Sequence, residues 1–385
     1  MTVKFPIYLD HQATTPVDPK VLDAMMPYLT TRFGNPHSAA HRFGWEAKAA
    51  VDVAREQVAA IIGAEAEEIY FTSGATEANN LAIKGVAEAY AQHKRHLVTV
   101  VTEHKCVLES MRAMEQRGFA VTYLPVDAQG LVSLEDVRAA LTPDTALISV
   151  MAVNNEIGTI APLVEIGALA RAAGVKFHVD AAQGVGKIPL DVNAMNIDLM
   201  SISAHKMYGP KGVGALYVRK RPRVAVMPQM HGGGQERGLR SGTLAPALIA
   251  GFGKAAEIAK ADMATETPRI VGLGQAFWQR LSRELNGVTL NGGTDKRFWG
   301  NLNIAFDGVD ASRLMAAMRD VAVSSAAACA SGSDEPSYVL EAIGVPQHLA
   351  KSSLRFGVGR FTTAEEIDAA ADKVITAVRQ SRKAA

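Results

Sequence analysis

The residues best suited to chemistry in this sequence lie where apolar runs end. Lys206 follows the apolar run 199–202 and precedes a turn that contains glycine. A lysine that forms a Schiff base with a carbonyl compound needs a rigid platform and a desolvated pocket. A strand would supply the platform, and the neighbouring Ser203 and His205 could hold a phosphate. A lone lysine after a strand is more often an ordinary surface residue, so Lys206 needs support from elsewhere in the chain.

The second candidate is Asp180, which follows the apolar run 175–179. If this run is a central strand, a charge at its end needs a partner. A pyridinium N–H is such a partner, because an aspartate that faces the ring nitrogen keeps it protonated and makes the ring an electron sink. The alternative is a structural aspartate that forms a salt bridge at the end of a strand.

The third candidate is the turn 72–76, which joins an apolar run to a helix-like segment and consists of small and hydroxyl-bearing residues. Small residues at a helix N-terminus present backbone N–H groups to an anion, and the helix dipole adds to the attraction. A phosphate therefore fits this turn. The alternative is that Ser73 is an N-cap and needs no ligand.

Two cysteines occur in the chain, Cys106 and Cys329, which are too few for a disulfide framework or a cysteine-rich metal site. Cys329 lies in a segment, 324–336, that is rich in Ser, Ala and Gly and has no apolar periodicity. We therefore predict an exposed loop that carries a thiol. Cys106 stands at the start of a predicted helix, a position that can lower the pKa of a thiol.

Strand-like runs alternate with helix-like segments through the first two-thirds of the chain. The predicted strands are 69–72, 96–101, 120–124, 146–151, 175–179, 199–202 and 213–218. The predicted helices between them are 75–90, 104–116, 134–141 with Ser133 as N-cap, and 163–173. Continuous apolar strands separated by helices indicate a mostly parallel sheet covered on both faces, which is an α/β architecture.

The pattern changes after about residue 245. A helical stretch at 246–286, with Pro246 suited to the first position and a break at 265–269, is followed by shorter elements. These are strands at 302–306, 321–323 and 353–356 and helices at 311–318 and 364–379. This order predicts a smaller α+β domain. We predict a large domain at 15–258 and a small domain made of 1–14 and 259–385.

Taken together, the three candidate segments resemble a known family. Ser-Gly-Ala-Thr at 73–76, Asp-Ala-Ala-Gln at 180–183 and Ser-Ala-His-Lys at 203–206 are similar to motifs of class-V aminotransferases, which are pyridoxal phosphate enzymes of fold type I. Further segments resemble cysteine desulfurases of the NifS/IscS type, namely 8–16, 34–38, 102–105, 153–158, 240–243 and 353–356. The motifs occur in the family's order, and the resemblance covers about 8–362.

The resemblance implies a role for each matching residue. Lys206 would hold pyridoxal phosphate and later move the substrate Cα proton, Asp180 would pair with the ring nitrogen, and His104 would lie over the ring. The phosphate would be bound by Ala75, Thr76, Ser203, His205 and, from the neighbouring subunit of a homodimer, Thr243. The phenolic oxygen of the ring would be bound by Asn155 and Gln183, and the substrate carboxylate by Arg355 with Asn35 and Asn155.

The implied reaction converts L-cysteine to L-alanine. The Cys329 thiolate would attack the substrate sulfur and keep it as a persulfide, with either His104 or the substrate amine as the base. The persulfide would pass to an iron–sulfur scaffold or another sulfur acceptor, and Cys329 would thereby contribute to an iron–sulfur cluster shared with that scaffold. Cys106 is interpreted as structural, because the family's motif places the nucleophile at Cys329. Where relatives often have Gly-Ser, this chain has Ala326-Ala327, and alanine restricts the backbone more than glycine does.

The composition limits the partners and the compartment. The chain has 40 Lys and Arg against 39 Asp and Glu, which gives no electrostatic reason to expect nucleic acid or an acidic membrane surface. Neither a signal-peptide pattern nor an apolar run of about 18 residues occurs, so we expect a cytoplasmic protein. Two alternatives stay open. One is another enzyme of the same fold, such as an aminotransferase or selenocysteine lyase, which would not need Cys329. The other is a sulfur carrier or scaffold protein, which would bind no cofactor.

Overall fold

The computed structural model describes residues 3–325 and 337–383. The strands are β1 Ile7–Tyr8, β2 Ile69–Thr72, β3 His96–Val100, β4 Ala120–Leu124, β5 Thr145–Ser149, β6 Lys176–Asp180, β7 Leu199–Ser203, β8 Gly214–Val218, β9 Val288–Leu290, β10 Asn301–Phe306, β11 Val321–Ala322, β12 Ser324–Ser325 and β13 Ser353–Gly357. The α-helices are α1 Pro19–Thr30, α2 Arg42–Ala60, α3 Ala75–Tyr90, α4 Lys105–Glu115, α5 Leu134–Ala140, α6 Leu163–Ala172, α7 Pro246–Glu284, α8 Ala311–Ala317, α9 Tyr338–Ala342, α10 Gln347–Lys351 and α11 Ala364–Lys383.

Seven strands form the main sheet, in the order β2-β8-β7-β6-β5-β3-β4. The strands from β7 to β4 pair in parallel, whereas β8 pairs antiparallel with both β7 and β2. Leu147 and Ile148 are neighbours on β5, yet they belong to different apolar clusters, so both faces of the sheet are covered. Burial on both faces explains why these strands read as continuous apolar runs. The predicted mostly parallel α/β architecture is confirmed.

The carboxyl ends of β5, β6 and β7 meet at one edge of the main sheet, because these strands run in the same direction. Asp180 is the last residue of β6 and Ser203 the last residue of β7. A short 3-10 helix, Ala204–Lys206, follows β7 directly. Ligands of open α/β sheets bind outside the carboxyl ends of the strands. The fold therefore places Asp180 and Lys206 where a ligand is expected.

The remaining strands form two smaller sheets. A four-stranded sheet has the order β12-β13-β10-β9, and β1 pairs in parallel with β11. Asp10 continues this contact through a bridge to Gly357, so the N-terminal residues pack against the last third of the chain. The division into domains at residues 258 and 259 stays a prediction, and this position falls inside α7.

Helix α7 runs without interruption from Pro246 to Glu284, so the predicted break at 265–269 is wrong. An interior proline such as Pro268 costs a helix about 3 kcal/mol or more. Tertiary packing outweighs this cost, because buried residues such as Phe252 and Phe277 lie on both sides of the proline. Although α7 has 39 residues, neither it nor any other helix within 3–325 and 337–383 is both long and apolar enough to cross a membrane.

Helices α1 and α2 were not predicted from the sequence. Asp18 caps α1 by accepting a hydrogen bond from the Lys20 amide, and Pro19 occupies the first helical position. Several large apolar side chains on and between these helices are exposed, which weakens the usual pattern of one buried face. This α1–α2 apolar surface consists of Leu22, Met26, Leu29, Phe33, Phe43 and Trp45.

Candidate active site

A cavity of about 620 Å³ opens at the carboxyl edge of the main sheet. The predicted site residues that line it are Ala75, Thr76, His104, Asn155, Asp180, Gln183, Ser203, His205, Lys206 and Arg355. Asn35 and Thr243 do not line it, and both are exposed. Cys329 lies outside the described residues. The fold thus gathers candidates from many separate segments into one cavity, which we call the central cavity.

Lys206 is held at the floor of the central cavity by the N-terminal segment of the chain. Its Nζ donates a hydrogen bond to the carbonyl oxygen of Ala13 at 2.7 Å and a second one to the carbonyl oxygen of Gln12. Thr15 supports the same turn, because its hydroxyl donates to the His205 carbonyl oxygen at 3.0 Å. These contacts with Gln12 and Ala13 were not predictable from the sequence, because the two residues precede the lysine by 194 and 193 positions.

His205 lies beside Lys206 and faces the cavity. Its Nδ1 is 3.0 Å from the Thr14 hydroxyl. Burial lowers the pKa of His205 to about 4, and the positive charges of Lys206 and Lys211 act in the same direction. The ring is therefore neutral at neutral pH and can serve a phosphate as a hydrogen-bond donor rather than as a cation.

Asp180 is 5% exposed and has both carboxylate oxygens hydrogen-bonded. Oδ2 accepts from Asn79 Nδ2 at 2.7 Å, and Oδ1 accepts from the Ala182 amide at 2.9 Å. No Lys or Arg of the described residues forms an ion pair with it, so the salt-bridge alternative is wrong. A buried carboxylate held without a cation leaves room for a cationic ligand group.

Asn79 is a site residue that the sequence analysis missed. It is fully buried on α3, one helical turn after Ala75, and its Oδ1 has no partner in the described part of the chain. Helix periodicity places residues i and i+4 on one face. This spacing was the signal that could have placed Asn79 next to the turn at 72–76.

His104 and Cys106 lie together at the start of α4. His104 is the N-cap, and its Nδ1 accepts from the Cys106 amide at 3.2 Å and lies 2.9 Å from Cys106 Sγ. His104 is open to the cavity, yet the surrounding protein desolvates its ring and lowers its pKa. Burial, aided by the charge of Asp180, raises the pKa of Cys106 to about 12. Burial thus outweighs the decrease in pKa expected at a helix N-terminus, and the thiol is protonated at neutral pH.

The turn before α3 presents an uncapped helix N-terminus to the cavity. The N-cap position is Gly74, which has φ 149° and no side chain to satisfy the first amides, so the interpretation of Ser73 as an N-cap is wrong. The Ser73 amide instead donates to Glu77 Oε2 at 2.8 Å, and Arg240 pairs with the same carboxylate at 2.7 Å. Unsatisfied amides at the start of a 16-residue helix form a ready anion site.

Arg355 projects from β13 and is 4% exposed. Its Nη1 donates to the Asn155 carbonyl oxygen and its Nη2 to Asp10 Oδ1, both at 3.0 Å, whereas its Nε has no partner among the described residues. Asp10 Oδ2 also accepts from the Ser324 hydroxyl at 2.8 Å. Asp10 was not among the predicted site residues, because its contact with Arg355 joins opposite ends of the chain.

Glu103 is a further buried acid that the predictions left out. It is fully buried next to His104 and accepts a hydrogen bond from the Met151 amide. Burial, followed by the negative charge of Asp180, raises the pKa of Glu103 well above its usual value. The only sequence signal was that Glu103 lies within the segment 102–105.

Comparison with known proteins shows the family to which this chain belongs. The family model described as aminotransferase class-V matches residues 7–370. The chain belongs to the class-V aminotransferase family. A cysteine desulfurase IscS of Rickettsia akari is 57% identical over 378 residues, which cover 98% of this chain and 92% of that protein. Cysteine desulfurases IscS of two further Rickettsia species, R. rickettsii and R. africae, are each 55% identical.

Solved structures of family members agree. A NifS-like protein superposes with a TM-score of 0.91 at 36% identity and covers 97% of this chain and 99% of its own. The structure of SspA in complex with cysteine gives a TM-score of 0.82 at 40% identity and covers 93% and 100%. The resemblance to cysteine desulfurases of the NifS/IscS type is confirmed. Membership of an enzyme family, with relatives named cysteine desulfurase, removes the scaffold-protein alternative.

Proposed function

We propose that this chain is a pyridoxal phosphate-dependent cysteine desulfurase, which converts L-cysteine to L-alanine and transfers the sulfur to Cys329 as a persulfide. The observation that carries the proposal is the central cavity itself. It combines an amine at Lys206, a buried carboxylate at Asp180 that has no cationic partner among the described residues, a helix N-terminus suited to an anion, and the guanidinium of Arg355. Identity above 50% with proteins named cysteine desulfurase IscS supports the same activity.

The residues present fit pyridoxal phosphate. Asp180 lacks a cationic partner among the described residues, and a pyridinium N–H would provide one. The uncapped N-terminus of α3, with Thr76, and the side chains of Ser203 and His205 suit a phosphate group. When bound, the cofactor supplies an electron sink that stabilises the charge left on the substrate Cα after its proton is removed.

Lys206 would hold the cofactor covalently and, once released, move the proton at the substrate Cα. The short 3-10 helix after β7 and the carbonyl groups of Gln12 and Ala13 keep its amine in a fixed position. His104 opens onto the same cavity and is neutral, so it can accept a proton. Either His104 or the substrate amine would serve as the base for the attacking thiol.

Arg355 would bind the substrate carboxylate. Within 3–325 and 337–383, its buried guanidinium has no partner for Nε, and Asn155, which also lines the cavity, has none for Oδ1. A planar guanidinium suits a carboxylate better than any other side chain does. Asn35 would complete this contact.

Cys329 would act as the nucleophile toward the substrate sulfur. A new S–S bond forms, the Cβ–S bond breaks, and its electron pair passes to the carbon fragment, which is released as alanine after protonation. Cys106 lines the cavity but is a poor candidate, because the pKa of its thiol is raised to about 12. The persulfide would be delivered to an iron–sulfur scaffold or another sulfur acceptor, with a shared cluster bound at Cys329.

The active form would be a cytoplasmic homodimer in which Thr243 reaches the phosphate site of the neighbouring subunit. The α1–α2 apolar surface supports this arrangement. Phe33 is 66% exposed and Trp45 is 59% exposed, although both are large and apolar. Clustered exposed apolar side chains typically mark a protein–protein interface.

The proposal can be tested by incubating the cofactor-loaded protein with cysteine and mapping the persulfide by mass spectrometry. We expect the extra sulfur on Cys329, alanine as the product, and loss of both in a Cys329→Ser variant. A Cys106→Ser variant is the matched control and should retain both. Sulfur on Cys106 alone would contradict the assignment of the thiol. Full sulfide release by Cys329→Ser would instead favour another enzyme of the same fold.

A further inference from the structure

Lys187 is a mostly buried lysine to which the proposed mechanism assigns no role. It lies one turn after Gln183, and its Nζ donates a hydrogen bond to Gln183 Oε1 at 2.6 Å. It forms no ion pair with a carboxylate among the described residues. Burying an amine next to a neutral amide, without an acid to balance its charge, costs free energy. A contact kept at this cost suggests a function.

The contact fixes the orientation of the Gln183 amide. In its protonated form lysine can only donate, so the oxygen of the amide then faces Lys187. On the other side, Gln183 Nε2 donates to the carbonyl oxygen of Gln12 at 2.9 Å, and a carbonyl can only accept. Both partners therefore assign the same orientation, which leaves the second N–H of Nε2 as a donor. Gln183 lines the central cavity, where the phenolic oxygen of the cofactor would accept such a donor.

Lys187 also lies close to Lys206. The two lysines border one small cavity of about 20 Å³, together with His11 and Glu266. Burial lowers the pKa of Lys187 to about 7, and the positive charges of Lys206 and Arg355 add to the effect.

The other charged groups that the structure describes around this cavity leave Lys187 without a counter-ion. Burial lowers the pKa of His11 to about 4, so its ring is neutral. His205 is likewise neutral, and the charge of Lys187 contributes to the lowering of its pKa. The Glu266 carboxylate is bonded to Arg360 through Nε and Nη2, at 2.7 and 3.1 Å.

We propose that Lys187 is a positioning residue that holds Gln183 with an N–H toward the phenolic oxygen of the cofactor and, in its protonated form, adds positive charge beside Lys206. This inference rests on the proposed function, because it requires pyridoxal phosphate on Lys206. Both effects disfavour a proton on the nitrogen that joins the lysine to the cofactor. Without this hydrogen bond, the phenolic oxygen helps to hold that proton. The hydrogen bond withdraws negative charge from the oxygen and so weakens its hold, and a nearby cation repels the protonated form.

The test is a pH titration of the visible absorbance of the loaded protein. Lys187→Met removes the donor and the charge, and the midpoint of the absorbance change should rise by about one pH unit, a tenfold change in proton affinity. Lys187→Gln is also neutral and should shift the midpoint in the same direction. It is a second variant for use if Lys187→Met folds poorly. Lys187→Arg keeps a donor and a charge and should retain the wild-type midpoint.

Lys94→Met is the matched control. Lys94 donates to the carbonyl oxygens of Thr145 and Gly174, outside the central cavity, and its removal should leave the midpoint unchanged. An unchanged midpoint in both neutral Lys187 variants would overturn the inference while leaving the proposed function intact. An equal shift in Lys94→Met would also overturn it, since the effect would then be structural. A wild-type protein with no visible band after reconstitution would overturn the proposed function and this inference together.

Discussion

Replacement of Arg355 by Lys would test the substrate-binding part of the site most directly. The guanidinium donates to Asn155 and Asp10 at 3.0 Å each, and its Nε has no partner in the described part of the chain. Lysine retains the positive charge and can still reach one of these acceptors, but it cannot present a planar fork to a carboxylate. The variant therefore separates geometry from charge.

The expected magnitude follows from the bonds that are lost. A charge-assisted hydrogen bond contributes about 1.5–3 kcal/mol. Loss of one such bond to the substrate corresponds to an increase in KM of about 10- to 100-fold, since every 1.4 kcal/mol is roughly a factor of ten. Because the carboxylate is held in the same way before and during the reaction, kcat should change by less than about threefold.

The assay is the rate of alanine formation by the loaded enzyme as a function of cysteine concentration. Arg280→Lys is the matched control, because Arg280 forms its ion pairs with Glu284, Asp368 and Asp372 at the surface, away from the central cavity. A KM for Arg355→Lys within about threefold of the wild-type value would refute the assignment. A fall in kcat with an unchanged KM would refute it as well, since Arg355 would then act in the chemical step.

Three further outcomes are expected. Asp180→Asn should weaken cofactor binding at least about tenfold, as measured by dialysis and reconstitution, because the amide cannot balance a pyridinium charge. Burial lowers the pKa of His178 to about 3, so the unfolded chain takes up a proton before the folded chain does as the pH falls. Between pH 7 and 5, the free energy of unfolding in urea should therefore fall by about 2 kcal/mol more for the wild type than for His178→Gln. Gly274→Ala should destabilise the protein by about 1–3 kcal/mol in urea unfolding, because its Cβ would lie 1.9 Å from the Trp299 carbonyl oxygen. Gly272→Ala, which meets nothing within 4 Å, should be neutral or slightly stabilising.

Much of the main sheet was predictable from the sequence. The strands at 69–72 and 120–124 and the helix at 75–90 have the predicted bounds, and the other elements of this part differ by one or two residues. Strands buried on both faces leave unbroken apolar runs, which are an unambiguous signal when turns separate them. Asp180 and Lys206 were found for the same reason, because both come directly after such runs.

Elements stabilised by distant contacts were harder to predict. The break expected in α7 followed from a local rule about proline, and packing on both sides of Pro268 overrode that rule. Helix α1 exposes Leu22, Met26 and Leu29, so its apolar residues do not lie on a single buried face.

The partners of the site residues were also out of reach. Asp10 contacts Arg355, and Gln12 contacts Lys206, across most of the chain. A sequence shows that such residues are present, but their spacing along the chain carries no information about contacts of this range.

The ion pair between Asp10 and Arg355 has a consequence for the biosynthesis of the protein. Its two residues are 345 positions apart, so Asp10 leaves the ribosome long before Arg355 does. Domains form as their residues emerge, and contacts of long sequence separation close last. A nascent chain would therefore assemble the proposed cofactor site well before it acquires the residue proposed to bind the substrate carboxylate. Premature termination before β13 would yield a protein that keeps Lys206 and Asp180 and lacks Arg355.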